Sequence, residues 1–270
     1  MSDRFQEAKA RALGRMRGTP PPGRAAIGTL RERSLHAILK YWADPDESHH
    51  EVALPCRLIA DLYDGERVTE IQTRGFSKLR PKLARLLPAY PVTILHPIAR
   101  TKRLIWVDPE SGEASAPRKS PKTGTVWDAF RELYYIRDAL KAAGEGKADL
   151  TIRLVYLDME EYRLLNGWSR DRKKGACRVE RIPSALAGEE TLRSPADFAG
   201  LLPPALPESF TVADVGAALR LSPKRAGQVV NVLYMIGAII REGKRGRAYL
   251  YRRPENRPHA ADEAQREQDV

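Results

Sequence analysis

The chain has 270 residues, enough for two domains with cores of their own, and a formal net charge of +11. Cys56 and Cys177 stand far apart with no Cys-x-x-Cys spacing, which excludes a disulfide scaffold or paired-cysteine zinc site and predicts a reducing, cytoplasmic compartment. No apolar run approaches a membrane span, the longest (232–240) being broken by Gly237, and the N-terminus lacks the apolar segment of a secretory signal. Residues 25–253 alone carry +10, so the basicity belongs to the part that folds. Such a surface favours polyanions, nucleic acid before anionic membrane; the alternative is a solvated Arg-rich exterior.

Residues 1–28 read as a flexible basic lead-in, weakly helical over 4–17, then extended through Thr19-Pro20-Pro21-Pro22-Gly23. Over 27–42, Ile27, Leu30, Leu35, Ile38, Leu39 and Trp42 recur at helical spacing. Thr29 and Glu32 have the spacing of a capping box, while Glu32 also stands at the edge of the apolar stripe, within reach of a metal site. A polar turn follows at 43–48, and His49 and His50, beside Glu47 and Glu51, read as an exposed loop before a strand at 51–54.

Two apolar runs, 57–63 and 67–73, flank Asp64-Gly65 and predict a β-hairpin. A two-residue turn at 64–65, or a four-residue turn at 64–67, puts Asp61, Glu70 and Gln72 on one face; a three-residue turn does not. Two carboxylates on one face suit a hard divalent cation acting on a phosphodiester. The plainer alternative is the solvated face of an antiparallel pair.

Residues 76–87 predict a basic amphipathic helix bearing Lys78 and Lys82. The nearly continuous apolar run 92–98 predicts a strand buried on both faces, with a parallel neighbour. A separate strand is expected at 102–107, a loop at 108–124, a helix at 126–140 and a strand at 150–157. The charge run 170–174 beside Trp168 reads as a solvated loop, and 194–207 as a proline-rich linker.

Residues 209–253 have the layout of a winged helix-turn-helix: helices to Leu219 and from Ser222-Pro223 to about Ile236, then strands at 238–242 and 247–251 around Gly243-Lys244-Arg245-Gly246. Lys224, Arg225, Gln228 and Asn231 fall outward on the second helix, suited to base edges and phosphates, and Lys244 and Arg245 occupy the wing. Between Ala205 and Arg253 the balance is +6, which favours DNA over protein docking. The chain has no phosphate-binding Gly-rich loop, no Gly-x-Ser-x-Gly elbow and no His-x-x-x-His pair.

The order helix, three strands, basic helix, strand, with Asp61 on the second strand and Glu70-Ile71-Gln72 on the third, resembles the PD-(D/E)XK nuclease superfamily over about 29–107. The run from Ser34-Leu35-His36 through Glu70-Ile71-Gln72-Thr73 to Arg118-Lys119-Ser120-Pro121 further resembles a family of bacterial proteins that add a C-terminal winged helix. The resemblance implies a restriction-endonuclease-like mixed sheet flanked by helices. It also implies Mg²⁺ or Mn²⁺ held by Asp61, Glu70 and the Ile71 carbonyl, with Glu32 as the helix glutamate. Gln72 stands where the motif has lysine, and Lys78 or Lys82 is left to supply that charge.

The expected organisation is therefore a basic segment (1–28), a nuclease-like α/β domain (29–193), a linker (194–207), a winged helix (208–253) and an acidic tail (254–270). The expected function is Mg²⁺-dependent hydrolysis of double-stranded DNA in the cytoplasm. The alternatives are a DNA-binding regulator with an inactive core and a protein-docking scaffold.

Overall fold

The structure, a computed structural model, describes residues 2–17, 33–167 and 175–254. Helix α1 (Ser2–Arg17) precedes α2 (Arg33–Ala43), and strands β1 (His50–Ala53), β2 (Ile59–Tyr63) and β3 (Val68–Ile71) follow. Then come α3 (Phe76–Leu86), β4 (Val92–Val107), a short β5 (Arg118–Lys119), α4 (Val126–Leu133) and α5 (Arg137–Gly144). The long strands β6 (Leu150–Leu164) and β7 (Cys177–Leu192) precede α6 (Pro195–Gly200), α7 (Val212–Ala218) and α8 (Pro223–Ile236). A hairpin of β8 (Ile240–Arg245) and β9 (Ala248–Arg252) closes the described chain.

The fold class is α/β, a mixed sheet flanked by helices. Its order is β1-β2-β3-β4-β6-β7, with β5 on the side of β4. β1, β2 and β3 form an antiparallel meander, β3 and β6 flank β4 in parallel, and β7 returns antiparallel on β6. The parallel neighbours explain the nearly continuous apolar run: Val92 to Ile98 is buried at every position. Alternate side chains feed two cores. Val92, Ile94, Ile152 and Leu154 join Phe76, Leu83 and Phe130 on one face, while Leu95, Val155, Leu157 and Met159 join Leu35, Leu39 and Trp42 on the other. Each such side chain, fully buried, contributes roughly 1.5–3 kcal/mol.

Several expectations need correction. The strands expected at 92–98 and 102–107 are one, β4, whose pairing with β6 shifts between Ala99 and Thr101. A bulge absorbs the polar interruption that suggested a break. The helix expected through 126–140 is two, separated by a 3-10 turn at Tyr134–Ile136. The lead-in at 4–17 is α1, with Phe5 fully buried edge-on to Trp42. The strand at 150–157 extends to Leu164, and β7 was not foreseen. Within 194–207, α6 carries a Ser194 capping box and buries Phe198, followed by buried Leu202 and Leu206. The charge run 170–174 and Trp168 lie outside the described residues.

The C-terminal helices and hairpin fall close to their expected positions, with Thr211 and Asp214 forming the capping box of α7. Ser222, by contrast, gives α8 no side-chain cap bond. Val229, Val230, Leu233 and Ile236 of α8 enter the same core as Phe130, Leu133 and Leu140. Where α5 meets the end of α8 there is no room for a side chain: a Cβ on Gly144 would stand 2.0 Å from the Ile236 carbonyl oxygen. Among the described residues no helix is long and apolar enough to cross a membrane.

Candidate metal and nucleic-acid site

The hairpin closes through residues 64–67, with Tyr63 opposite Val68 and Leu62 opposite Thr69. This is the four-residue turn, one of the two that bring the carboxylates together. Asp64 fixes it by accepting from the Glu66 and Arg67 amides at 2.9 and 2.8 Å, and Gly65 supplies a φ of 97°. One step further along the same register, Asp61 faces Glu70.

There the ladder gives way. The Ile71 N–H donates to Asp61 Oδ2 at 2.8 Å. The N–H and carbonyl of one strand residue point to the same neighbouring strand, so the Ile71 carbonyl is turned toward β2 as well. On the other side the β3–β4 ladder also ends, because Pro97 has no N–H to give. Instead, buried His96 makes a 2.6 Å bond from Nδ1 to the Gln72 carbonyl.

Both helical layers reach this point. From α2, His36 Nε2 lies 3.2 Å from Asp61 Oδ2, and from α3, Lys82 Nζ lies 2.5 Å from Glu70 Oε2. The Glu132 carboxylate anchors α3 by accepting from the Gly75 and Phe76 amides at 2.9 and 3.1 Å. The next carboxylate outward, Glu51, is bound to Lys40 at 2.6 Å.

The two acids differ electrically. Burial alone would raise Asp61, but His36, the Ile71 amide and Lys82 outweigh it and hold Asp61 below its ordinary value. Glu70 is 3 % exposed, and burial followed by the Asp61 charge pushes it up to about 7 despite Lys82. Its Oε1 is buried with no hydrogen-bond partner. An orphaned carboxylate oxygen beside an ionised Asp61 fits a cation that would satisfy both. Among the described residues, no group of three His, Cys, Asp or Glu side chains could hold a metal ion.

Gln72 does not join this group. Its amide donates to the Arg74 carbonyl at 2.5 Å. Lys78 is exposed, and of the two lysines proposed for the missing charge it is Lys82 that reaches a carboxylate. Glu32 lies outside the described residues. His36 was quoted only as part of a resemblance and given no role. It stands four positions after Glu32 in the sequence, the spacing of one helical turn, and that spacing is the available signal.

The residues expected to meet DNA are divided. Arg225 is held within the fold, 2.7 Å from Asp128 Oδ1 and 3.2 Å from the Trp127 carbonyl. Gln228 is half-buried, and Asn231 has a buried side-chain oxygen, because α8 packs against α4 and α5 as well as α7. This departs from the outward set expected on α8; of the four, only Lys224 is exposed. On the hairpin, Arg245 pairs with Asp214 at 3.1 Å, and Lys244 lies over the exposed Tyr249 ring. Arg241, unmarked in the sequence, stacks 3.8 Å from the Tyr249 centroid and 4.9 Å from that of Tyr234.

The model of a family described as a domain of unknown function (DUF8091) matches residues 33–193, which run from α2 to the end of the sheet. A Treponema pallidum (strain Nichols) protein named "Uncharacterized protein" is 29% identical over 233 residues, 84% of this chain and 87% of that relative. The similarity therefore extends beyond the sheet. No solved structure matches the chain.

Proposed function

We propose that this chain, which belongs to the DUF8091 family, is a DNA-binding protein whose sheet carries a Mg²⁺-dependent, PD-(D/E)XK-like phosphodiesterase site. The observation that carries the reading is the pair Asp61 and Glu70 at the parting of β2 and β3, with Lys82 on Glu70 and an unpartnered Glu70 Oε1. The antiparallel meander, helix and parallel fourth strand also support it, since the resemblance implies that order.

Asp61, Glu70 and the Ile71 carbonyl would hold the cation, which supplies Lewis acidity toward a phosphodiester. His36 keeps Asp61 ionised and oriented. Lys82 supplies the positive charge that the motif normally draws from the position of Gln72, and it does so from α3. The restriction-endonuclease-like and winged-helix descriptions are part of this proposal, as are Mg²⁺, duplex DNA and cytoplasmic location.

The test is cleavage of plasmid and linear DNA with Mg²⁺ or Mn²⁺ by wild type, Asp61→Ala and Glu70→Ala. Loss of cleavage in both variants is expected. Equal cleavage by all three proteins, or none with any divalent ion, overturns the enzymatic reading. In the latter case a regulatory DNA-binding protein is the remaining form of the proposal, favoured by the departure at Gln72.

A further inference from the structure

Beyond the carboxylate pair, β4 and β6 continue together for another turn of the pleat, from Thr101 opposite Asp158 to Val107 opposite Leu164, with β7 alongside. This extension holds a charge cluster that the hydrolytic site does not use. Glu161, 1 % exposed, accepts from Arg163 Nε and Nη2 at 2.9 and 2.6 Å and from Arg181 Nε at 3.3 Å. Lys102 Nζ stands 3.9 Å from the same carboxylate. One negative charge thus organises three positive ones drawn from three adjacent strands.

The neighbouring acids bond to hydroxyls rather than to these cations: Asp158 accepts from Thr101 at 2.6 Å, Glu160 accepts from Tyr162 at 3.1 Å, and Glu180 accepts from Ser34. Around Glu161 itself, three cations therefore meet one carboxylate. Burial lowers the pKa of Lys102, Glu161 opposes, and Arg181, Arg163 and Arg178 lower it further. The three clustered cations keep a fifth to a third of their side-chain surface exposed, so unused N–H donors remain accessible while Glu161 fixes the array.

We infer that the Lys102–Arg163–Arg181 array organised by Glu161 is a preformed site for the phosphodiester groups of duplex DNA, on the strand extension beyond the carboxylate pair. The inference rests on the DNA-binding reading above and names where the backbone is gripped. A rigid array of donors costs little side-chain entropy on binding, and each phosphate it neutralises releases counterions.

Binding of a fluorescein-labelled duplex oligonucleotide, measured by anisotropy in EDTA over a salt series, tests it without cleavage. Lys102→Gln spares the Arg163–Glu161–Arg181 bridge between β6 and β7. The expected result is weaker binding and a salt slope smaller by about one unit. If that variant loses its thermal transition, Lys102→Met carries the test, with the same slope loss expected. Unchanged affinity and slope overturn the assignment. So does displacement of duplex by sodium phosphate beyond that by sodium chloride at equal ionic strength, which marks a small-anion site. Loss of cleavage in Asp61→Ala tests the hydrolytic reading separately, so the failure of either reading is seen apart from the other.

Discussion

Lys82 meets Glu70 at 2.5 Å although the two belong to different elements, the lysine on α3 and the glutamate on β3. On the proposed reading, the charge that the motif draws from the position of Gln72 arrives here through helix packing. Lys82→Met is expected to lower cleavage by roughly 10²–10³-fold, the range for loss of one preorganised electrostatic partner. Gln72→Ala, whose side chain is turned to Arg74, is expected to cost less than about tenfold, under the same measure. Initial rates of plasmid nicking compare the two; equal losses would remove the distinction between them.

The raised Glu70 makes stability depend on pH. Its folded value of about 7 lies above its ordinary value of 4.5, so the folded state holds the proton more tightly than the unfolded chain. This contribution is fully present below pH 4.5 and is lost as pH rises through about 7. The span is on the order of 3 kcal/mol. Urea denaturation in EDTA at several pH values is expected to show this decline in wild type, and Glu70→Gln is expected to lack it. Mg²⁺ at pH 8 is expected to restore stability to wild type more than to the variant.

Gly144 permits the contact between α5 and the end of α8. A methyl group there meets the Ile236 backbone at 2.0 Å, and backbone cannot swing aside as a side chain can. Gly144→Ala is expected to destabilise by at least about 1–3 kcal/mol, whereas Gly227→Ala on α8, where a Cβ meets nothing within 4 Å, should not destabilise. Thermal denaturation of the two variants decides the point.

Arg225 and Lys244 separate two ways of touching DNA. Arg225→Ala, which removes an internal bond to Asp128, is expected to leave the salt slope of duplex binding unchanged. Lys244→Ala, on the exposed hairpin, is expected to lower it by about one unit. A slope change in Arg225→Ala would return α8 to the DNA.

The parts of the fold that were legible are those where one pattern acted alone. Val92 to Ile98 announced a buried parallel strand because neither face needs polar residues, and Asp64-Gly65 announced the hairpin because its turn has few solutions. β7 was hidden by Pro183, Gly188 and alternating charge, and its register shifts three times against β6. An edge strand tolerates all of these. α1 was underestimated because Phe5, Ala8 and Ala12 form a narrow stripe whose value depends on Trp42, far away in sequence. Asp61 and Glu70 could be paired from register alone. Lys82 could only be offered beside Lys78, and His36 went unassigned, since which helical side chain reaches a sheet is decided by packing angle.

The shared core of α8 with α4 and α5 has a metric consequence. The β8–β9 hairpin is carried by helices whose apolar side chains are continuous with those of the sheet, so it stands at a set separation from Asp61. On the proposed reading the protein acts as a ruler. Whatever phosphate the hairpin holds, the bond presented to the carboxylates is a fixed number of nucleotides away, and the ends it leaves should be of one length.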